Sequence, residues 1–372
     1  MTKRVLITGG AGFIGSHVSD LLLASGYAVR VLDNLTPQVH SAGQERPHYL
    51  DADAELMIGD VRDRAVVERS LADVDAVIHL AAAVGVGQSM YDIVSYVQAN
   101  DVATAVLLEI LSQRPVERLV VASSMSIYGE GLARRRNGEL VSPDERPVEQ
   151  LRRGVWELQD SAGEPLVPIA TPESKQPSLS SIYALNKYSQ ERMSLIIGKA
   201  YGIPTVALRF FNVYGPRQAL SNPYTGVLAI FAARLLNGRP PLVFEDGRQQ
   251  RDFVHVRDVA KACLLALEHP GASGQVFNVG SGESRTILSI ADDLARVMGR
   301  PQIRPQLVGK YRAGDIRHCF ADIGASRTLL GYAPEVAFRD GLEELAEWLS
   351  GQVAEDRVDG ATAELETRGL VA

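Results

Sequence analysis

The first 124 residues alternate short apolar segments with stretches long enough to form helices, and this alternation limits the possible folds more than any other feature of the chain. The segment from Ser16 to Ala24 carries apolar residues at helical spacing and stops at Gly26. The apolar segments occupy residues 4–8, 28–33, 55–58, 76–80 and 118–122. Strands that alternate with helices in this way form a parallel sheet covered on both faces. The sequence therefore predicts an α/β fold with a doubly wound parallel sheet.

The alternation also suggests where the chain is divided. We predict a first domain over residues 1–210, interrupted by a charged, proline-bearing insert at about 131–176. Helical and strand patterns return at 182–201 and 205–211, and glycine and proline become more frequent beyond them. Residues 211–350 are predicted to form a smaller, mixed α/β substrate-binding lobe with segments that return to the sheet. Residues 351–372 are polar without an apolar stripe, which predicts a flexible tail.

Composition excludes several classes of protein. The formal charge of −7 argues against a nucleic-acid-binding protein, which needs a clustered cationic surface. Cys263 and Cys319 are the two cysteines, and their spacing indicates neither a disulfide framework nor a zinc site, so no metal is predicted. No uninterrupted apolar stretch reaches the ~18 residues that a membrane-spanning helix needs. We therefore expect a cytoplasmic protein in a reducing compartment, with no membrane or nucleic-acid partner.

A glycine-rich turn, Gly9-Gly-Ala-Gly12-Phe-Ile-Gly15, follows the first predicted strand and opens the first predicted helix. Such glycines let the backbone approach a pyrophosphate, whose charge the helix N-terminus stabilises. Asp33 ends the next predicted strand, where a carboxylate binds ribose hydroxyls. The adjacent Asn34 and Leu35 supply no cation for a 2′-phosphate. These residues predict a Rossmann-type site for NAD rather than NADP.

A tyrosine and a lysine lie four residues apart in Tyr183-Ala-Leu-Asn-Lys187, on one face of a predicted helix. A fixed cation beside a phenol stabilises the phenolate and makes it a usable base near neutral pH. Ser124 ends a predicted strand at the carboxyl edge of the sheet, where folds of this type bind their ligands. The three side chains together predict a site for proton transfer.

With these motifs in place, the chain resembles the extended short-chain dehydrogenase/reductases, in their nucleotide-sugar epimerase/dehydratase branch. The resemblance extends to about residue 350, apart from the insert. The motifs that carry it, in chain order, are Thr8–Gly15, Gly59–Asp63, His79–Ala82, Ser123–Ser124 with Tyr128–Gly129, Tyr183–Lys187, Arg209–Pro216, Arg251–Val256 and Arg312–Asp315.

The resemblance assigns residues to two ligands, NAD and a nucleotide-diphosphate sugar. It implies that Asp60 and Val61 hold the adenine and that Phe210 contacts the nicotinamide. The cofactor residues are Gly9, Gly12, Phe13, Ile14, Gly15, Asp33, Asn34, Asp60, Val61, Leu80, Ala81, Ala82, Asn100, Tyr183, Lys187 and Phe210. The substrate residues are Ser124, Asn212, Arg251, Arg312, Asp315 and Cys319. Arginine suits a diphosphate because its planar fork meets phosphate oxygens in pairs.

The reaction that the resemblance implies begins with Tyr183 removing a proton from a sugar hydroxyl while NAD takes the hydride from the same carbon. In 4,6-dehydratases of this family, Asp and Glu follow the catalytic hydroxyl residue, and here those positions are Met125 and Ser126. Without a carboxylate there, a 4-keto sugar can rotate and take the hydride back on its other face. The expected activity is 4-epimerisation, with Ser124, Tyr183 and Lys187 as catalytic residues.

Two alternatives stay open. A dehydratase or another net oxidoreductase of the same family would take its acid from the insert region, for example Glu130 or Glu139. A non-catalytic NAD-sensing protein belongs to a different class, in which the catalytic residues are typically degraded, and the intact Ser124, Tyr183 and Lys187 argue against it.

The insert and one cysteine bear on the sugar. An insert of roughly thirty extra residues is unusual within a compact domain, and it is similar to that of 4-epimerases acting on dTDP-linked 6-deoxy sugars such as dTDP-L-rhamnose. Another dTDP- or UDP-hexose is the alternative substrate. Cys319 falls where related 4-epimerases border the hexose pocket, and a small thiol there would leave room for a differently shaped sugar. The other interpretation is a small buried core residue.

Two further expectations concern packing. The resemblance implies a homodimer built from the helices that carry Asn100 and Tyr183. Apolar residues of the first of these helices, Val102, Val106, Leu107 and Ile110, could instead cover the sheet. His79 and His255 lie within apolar strand patterns and are predicted to be core residues rather than catalysts.

Overall fold

The computed structural model describes residues 2–40, 43, 45–222, 224, 226–312, 314–352 and 356–372. Ala313 of the motif Arg312–Asp315 and residues 353–355 of the predicted tail lie outside the described residues. The strands are β1 (Arg4–Thr8), β2 (Ala28–Asp33), β3 (Glu55–Ile58), β4 (Ala76–His79), β5 (Arg118–Ser124), β6 (Ala133–Arg134), β7 (Leu140–Val141), β8 (Val167–Pro168), β9 (Thr205–Phe210), β10 (Asn212–Tyr214), β11 (Leu242–Val243), β12 (Gln250–Arg251), β13 (Phe253–His255), β14 (Val276–Val279), β15 (Arg285–Thr286), β16 (Gln306–Leu307) and β17 (His318–Cys319).

The helices cover the main sheet and build much of the second half of the chain. They are α1 (Phe13–Ala24), α2 (Arg64–Ser70), α3 (Val86–Ser89), α4 (Ile93–Val97), α5 (Ala103–Gln113), α6 (Val148–Arg152), α7 (Ile182–Tyr201), α8 (Val227–Leu236), α9 (Val256–Glu268), α10 (Ile287–Val297), α11 (Gly324–Leu330), α12 (Phe338–Ser350) and α13 (Val358–Thr367). A π-helical segment, Gln98–Val102, joins α4 to α5, and short 3₁₀ turns occupy Met125–Tyr128 and Pro270–Ala272.

Seven parallel strands form the main sheet in the order β14-β9-β5-β4-β1-β2-β3. The chain runs outward from β1 to β3 on one side and then returns to β4 on the other. The strand order therefore reverses beside β1, and ligands of such sheets bind at the carboxyl ends of the strands at this point. The predicted doubly wound α/β fold is confirmed.

The core lies on both faces of this sheet, as expected for parallel strands that read as continuous apolar runs. Along β1, Val5 and Ile7 face a cluster that includes residues of α1 and α9, whereas Leu6 faces a cluster that includes residues of α2 and α5. All three side chains are fully buried. Because helices cover both faces of the sheet, polar residues such as Asp33 and Ser124 lie at the carboxyl ends of its strands.

The second half of the chain adds a lobe with its own apolar cluster, built from α8, α10 and α12. Short strands link this lobe to the domain of the main sheet: β10 pairs with β13, and β12 pairs with both β15 and β17. β14 returns to the edge of the main sheet beside β9. Segments of the lobe therefore reach the carboxyl edge from one side.

The insert is folded, although its sequence shows no regular pattern. Antiparallel pairing joins β6 to β7 and to β8, and α6 lies between β7 and β8 in the chain. Arg146 of the insert is buried and donates from Nη1 to Glu245 (2.8 Å) and from Nη2 to the Asp315 carbonyl (2.9 Å). The buried Arg146 side chain thus joins the insert to the substrate lobe.

The expectation of a flexible tail is wrong for the described part of the C-terminus. Residues Val358–Thr367 form α13, whose Leu365 is buried, and Val371 beyond it is buried as well. The polar sequence did not predict this helix, because the helix buries only a few side chains. It is otherwise held by ion pairs, such as Arg234 with Asp359 (2.6 Å).

Among the described residues, one run, Ile93–Gln113, is long and apolar enough to cross a membrane by length and composition alone. Buried core helices of soluble proteins meet the same criterion. In this structure Leu107 and Leu111 of the run pack in the cluster that includes Leu6 of the main sheet. The run is thus part of the cover of the sheet.

His79 is a satisfied core residue, as predicted. Its Nδ1 lies 2.7 Å from the Thr8 hydroxyl and its Nε2 lies 2.9 Å from the Thr104 hydroxyl. His255 is also buried, and its Nδ1 accepts a hydrogen bond from the Arg257 backbone N–H (3.4 Å). Burial lowers the pKa of both imidazoles to about 3, so both are neutral at physiological pH.

Candidate active site

The glycine-rich turn joins β1 to α1, and its glycines serve different needs. Gly9 has a φ of +70°, and a Cβ placed on it would lie 2.8 Å from the Ala81 nitrogen. A Cβ on Gly15 would overlap the backbone of Gly9 and Gly10. On Gly12 it would meet only the Gly9 oxygen, at 3.4 Å, so this position faces open space. Gly9 and Gly15 are required by packing, whereas Gly12 leaves room for an approaching ligand.

Helix α1 begins at Phe13 with no side-chain cap and no acidic residue in its first turn. Backbone N–H groups at such a helix start are free to bind a pyrophosphate, whose charge the helix dipole favours. Ile14 and Phe13 lie in this first turn and are partly buried. The turn therefore fits the pyrophosphate of NAD.

Acidic residues mark the adenosine end of the same site. Asp33 accepts hydrogen bonds at its two carboxylate oxygens from the N–H groups of Ala11 and Leu35, both at 3.0 Å. Asn34 donates to the Asp60 carboxylate (3.4 Å), whose pKa Arg62 lowers through two side-chain hydrogen bonds. Asp33 is thus fixed beside the glycine turn, and Asp60 lies close to it with Val61 buried next in sequence.

We expect the protein to purify with NAD bound. It should bind NADP at least about tenfold more weakly than NAD, because the fixed Asp33 carboxylate repels the negatively charged 2′-phosphate of NADP. Asp33→Asn should reduce the difference between the affinities for NAD and NADP. Calorimetric titration of nucleotide-free protein with each dinucleotide measures both affinities. Asp53→Asn, an exposed change farther along the same loop, is the control. Equal affinities of the unchanged protein for NAD and NADP would contradict the assignment of Asp33.

The segment after β4 forms the other wall of the predicted cofactor path. Leu80, Ala81 and Ala82 are partly buried here. Asn100, fully buried in the π-helical segment, accepts from the Ala83 N–H (2.8 Å) and donates to the Ala83 carbonyl (3.2 Å). In the structure Asn100 therefore holds the backbone of this wall with both ends of its amide.

The three residues predicted to catalyse proton transfer are brought together. Ser124 ends β5, and its hydroxyl is close enough to the Tyr183 phenol to affect the pKa of that phenol. Lys187 is buried one turn farther along α7 and donates to the Ala122 carbonyl of β5 (3.2 Å). The start of α7 is fixed by the Ser89 hydroxyl, which accepts from the Tyr183 N–H (3.1 Å).

Burial dominates the ionisation of this pair. It raises the pKa of Tyr183 to about 12, and the hydrogen bond with Ser124 acts in the opposite direction. It lowers the pKa of Lys187 to about 8. The expected lowering of the tyrosine pKa by Lys187 does not occur in this structure, where desolvation raises the pKa and the opposing effect comes from Ser124. At neutral pH this tyrosine is therefore protonated, and Lys187 is buried on the next turn of α7.

Ser126 takes part in the site although its sequence position gave no sign of it. Its hydroxyl donates to the Ser124 Oγ (3.0 Å), and its N–H donates to the same atom (3.2 Å). With both acceptor positions of that oxygen occupied, the Ser124 hydroxyl proton is free to bond another group. Ser126 therefore helps to orient the hydroxyl that is predicted to be catalytic.

A buried ion pair behind the site was also not foreseen. Glu191 lies one further turn along α7 from Lys187 and pairs with Arg209 of β9 through two hydrogen bonds, at 2.7 and 2.9 Å. Ser123 donates to the same carboxylate (2.7 Å), and Arg209 also donates to the Tyr128 hydroxyl (2.9 Å). The four side chains join α7 to β5 and β9 beneath the catalytic residues.

On the opposite side of the cleft, residues predicted to bind the sugar nucleotide come together. Arg251 of β12 lies 3.5 Å from the Asp315 carboxylate and donates to the carbonyls of Ile316 and Arg317. A cavity of about 30 Å³, room for one water-sized molecule, is lined by Arg312, Asp315 and, from the insert side, Glu130, Glu145, Arg146 and Leu151. The insert therefore forms one wall beside these residues.

The Asn212 Oδ1 and the Arg312 Nε are among the buried polar atoms that have no hydrogen-bond partner within the described part of the chain. Phe210, which ends β9 and is predicted to contact the nicotinamide, is 7% exposed. Buried polar groups are normally satisfied. At these two predicted ligand positions, the unsatisfied atoms could form hydrogen bonds with a polar ligand.

Cys319 differs from the expectation that it borders a pocket. It is 1% exposed and packs in a cluster with Met125, Tyr128 and Phe211. Burial raises the pKa of its thiol to about 12, so it is protonated. The structure favours the other interpretation, a small core residue, because these neighbours leave the Cys319 side chain almost no exposed surface.

The two carboxylates named as possible dehydratase acids lie elsewhere or are already bonded. Glu139 is exposed and pairs with Arg135 on the insert surface (2.9 Å). Glu130 is buried, and its oxygens accept from the backbone N–H groups of Arg317 and His318 at 2.8–3.1 Å. These contacts use Glu130 to hold the start of β17.

Comparison with known proteins agrees with this geometry. Residues 5–150 and 161–280 match the model of the NAD dependent epimerase/dehydratase family. The chain is 35% identical to a dTDP-L-rhamnose 4-epimerase of Burkholderia thailandensis over 94% of its own length and 96% of that protein.

Two solved structures are similar over the whole fold. A Thermotoga maritima UDP-glucose 4-epimerase bound to UDP-glucose has a TM-score of 0.76 and 31% identity, covering 93% of this chain and 98% of that one. A Thermus thermophilus UDP-glucose 4-epimerase bound to NAD has a TM-score of 0.73 and 32% identity, covering 94% and 100%.

Proposed function

Because the chain belongs to the NAD dependent epimerase/dehydratase family, we propose that it is a nucleotide-sugar 4-epimerase in which Ser124, Tyr183 and Lys187 are catalytic. NAD is the cofactor, and the glycine turn with Asp33, Asp60 and the wall after β4 would hold it. When bound, NAD accepts and returns the hydride of the sugar carbon.

In the proposed mechanism, the chain's own residues handle the proton. Tyr183 removes the proton of the sugar 4-hydroxyl, and Ser124, held by Ser126, hydrogen-bonds the same oxygen. Tyr183 has to be the phenolate to accept this proton, and the positive charge of the buried Lys187 stabilises that phenolate. After the 4-keto sugar turns over, carbon 4 is reduced on its other face while Tyr183 returns the proton to the oxygen on that carbon, and this completes the inversion.

The group of hydroxyls around Ser124 is the observation that favours an epimerase over a dehydratase. The two residues after Ser124 are Met125 and Ser126, and both are buried in the 3₁₀ turn. Water elimination from a 4-keto sugar needs an acid and a base at the neighbouring carbons. The best-placed carboxylate in sequence, Glu130, is instead bonded to the backbone of β17.

For the sugar we propose dTDP-L-rhamnose, with another dTDP- or UDP-hexose as the second candidate. Support comes from the similarity to the Burkholderia thailandensis protein and from the presence of the insert, whose Arg146 contacts the substrate lobe beside Asp315. The second candidate is supported by the Thermotoga maritima structure, which holds UDP-glucose.

The decisive experiment incubates the purified protein with dTDP-L-rhamnose, UDP-glucose and UDP-N-acetylglucosamine in separate reactions and analyses the products by chromatography and NMR. We expect the 4-epimer of one sugar nucleotide, formed without added NAD and without accumulation of NADH. Release of a 4-keto-6-deoxy sugar would show a dehydratase. Stoichiometric NADH formation would show a net dehydrogenase, and either result contradicts the proposal.

We also propose a homodimer built from the two helical segments that carry Asn100 and Tyr183. Of the apolar residues that could have covered the sheet, Leu107 and Ile110 do so, whereas Val102 is 43% exposed. Other large apolar side chains of these segments are also exposed. They are Ile93, Val94, Leu185 and Ile196. Apolar side chains gathered on adjacent helices favour an interface.

The dimer predicts a solution mass of about twice the 40.3 kDa of one chain. Ile196→Glu should shift light-scattering mass toward the monomer, because a charge buried at an apolar interface is strongly unfavourable. Leu329→Glu, an equally exposed leucine on α11, is the matched control and should leave the mass unchanged. A monomer mass for the unchanged protein at micromolar concentration would reject the dimer.

A further inference from the structure

The C-terminal segment, residues 356–372, lies beside the predicted sugar-nucleotide residues, although its sequence predicts only a tail. Its helix α13 starts where Asp359 pairs with the buried Arg234 of α8 (2.6 Å). Its inner side chains, Leu365 and Val371, form an apolar cluster with Phe244. The segment is therefore docked on the substrate lobe through both charge and apolar burial.

The end of this segment pairs with the backbone that carries Arg312. The Tyr311 N–H donates to the Ala372 carbonyl (2.9 Å), and the Ala372 N–H donates to the Tyr311 carbonyl (3.1 Å). Arg312 and Val371 are partners in an antiparallel bridge, and Lys310 pairs with Glu366 (2.5 Å). Three successive residues of the loop before Asp315 are thus held by the last seven residues of the chain.

The same segment also contacts the domain of the main sheet. The Arg368 guanidinium lies over the Tyr91 ring, 4.3 Å from its centre, and Leu365 lies against Gly87 at the start of the region that leads to α4. Tyr91 in turn bonds the Tyr224 hydroxyl of the substrate lobe (2.7 Å). The segment therefore bridges the two sides of the cleft near the predicted nucleotide end.

Arg312 is arranged like a residue that meets an anion. Its guanidinium lies over the Phe244 ring, 4.1 Å from the centre, and its Nε is buried without a hydrogen-bond partner among the described residues. Leaving a charged donor unsatisfied in a buried place is costly, whereas a phosphate would satisfy it with charge-assisted bonds. The segment covers the Phe244 ring and pairs with the Arg312 backbone, so it controls the position of this guanidinium.

We propose that residues 356–372 complete the sugar-nucleotide site by holding Arg312 and Phe244 against the nucleoside diphosphate, with Leu365 and Val371 as positioning residues. This inference rests on the proposed function only for the class of ligand. We expect the segment to make little difference to the chemistry at Ser124 and Tyr183, because its contacts with the domain of the main sheet are made to Gly87 and Tyr91.

The test uses the full chain with Leu365→Asp, and Thr367→Asp as the matched control, since Thr367 is exposed on the same helix and acquires the same charge. The probes are UDP and dTDP alone, titrated by calorimetry into NAD-loaded protein. We expect Leu365→Asp to weaken nucleotide binding by about tenfold or more. KM for the sugar nucleotide should rise by a similar factor, with kcat and NAD content within about twofold of the unchanged protein.

Leu365→Ala, a milder change, separates positioning from folding. It should weaken nucleotide binding in the same direction while the protein stays folded at the assay temperature by circular dichroism. Unchanged nucleotide affinity in both Leu365 variants would overturn the inference, and so would tighter binding, which would mean that the segment competes with the ligand. Failure of the unchanged protein to bind either nucleotide would instead contradict the substrate class of the proposed function.

Discussion

Tyr183→Phe is expected to lower kcat by at least about a hundredfold, because the phenol oxygen is the proposed acceptor of the sugar proton and a positioned base contributes on this order. Ser124 would lose its hydrogen-bond partner, but Lys187 and the glycine turn would be unchanged. NAD should therefore remain bound. Product formation measured by chromatography, with cofactor content measured after denaturation, tests both parts.

The matched control is Tyr201→Phe, the same substitution on the last residue of α7, where the side chain is 51% exposed. It should leave turnover within about twofold of the unchanged protein, because an exposed surface change rarely propagates. Near-normal turnover in Tyr183→Phe would contradict the proposed mechanism. Loss of NAD together with activity would show that the phenol anchors the cofactor instead.

The pH dependence offers a further check on the same residue. Burial places the pKa of Tyr183 at about 12 in the absence of ligands, above its ordinary value of 10. The phenolate fraction therefore rises with pH through the neutral and alkaline range, so kcat should increase with pH until the effective pKa of the loaded site is reached. Tyr183→Phe should abolish this rise in whatever residual activity remains.

Glu191→Gln is expected to lower the free energy of unfolding by about 3–5 kcal/mol, because it leaves Arg209 buried without its carboxylate partner. Both side chains are buried, at 6% and 1% exposure, and Arg209 makes two hydrogen bonds to Glu191. Ser123 would lose its charged acceptor as well. Urea denaturation followed by circular dichroism gives the change in stability.

An exposed pair supplies the comparison for this effect. Glu343→Gln breaks the pair with Arg339 on α12, where both side chains are more than half exposed. That change should cost less than about 1 kcal/mol, since water screens the charges and already solvates them. If Glu191→Gln cost no more than Glu343→Gln, the buried network would not be holding α7 to β9.

The residues with local signatures were predictable. The glycine turn, Asp33 and the Tyr183–Lys187 pair depend on spacing within one strand, turn or helix, and local backbone geometry determines such spacing. The continuous apolar runs predicted the parallel sheet, because strands covered on both faces need apolar side chains on both sides. These features follow from the order of residue types alone.

Residues that act through distant partners could not be recognised in the same way. Ser89, which caps Tyr183, lies 94 positions earlier, and Glu191 pairs with an arginine on another element. In the sequence, a serine or glutamate within a helix cannot be told from an ordinary exposed polar residue, because the residues next to it in the chain do not indicate its distant partner. The C-terminal segment was predicted as a flexible tail for this reason, because ion pairs such as Arg234 with Asp359 form only after distant parts of the chain pack.

The sequence by itself therefore determined the doubly wound sheet and the use of NAD, and it supplied the proposal for the proton-transfer residues, because these features arise from periodicity and from short motifs. Only the tertiary structure decided that Cys319 is buried against Met125, Tyr128 and Phe211, that Ser126 bonds Ser124, and that the chain's last residues pair with the backbone of Arg312. Burial and hydrogen-bond partners depend on which elements meet in space, and long-range packing sets them after local structure has formed.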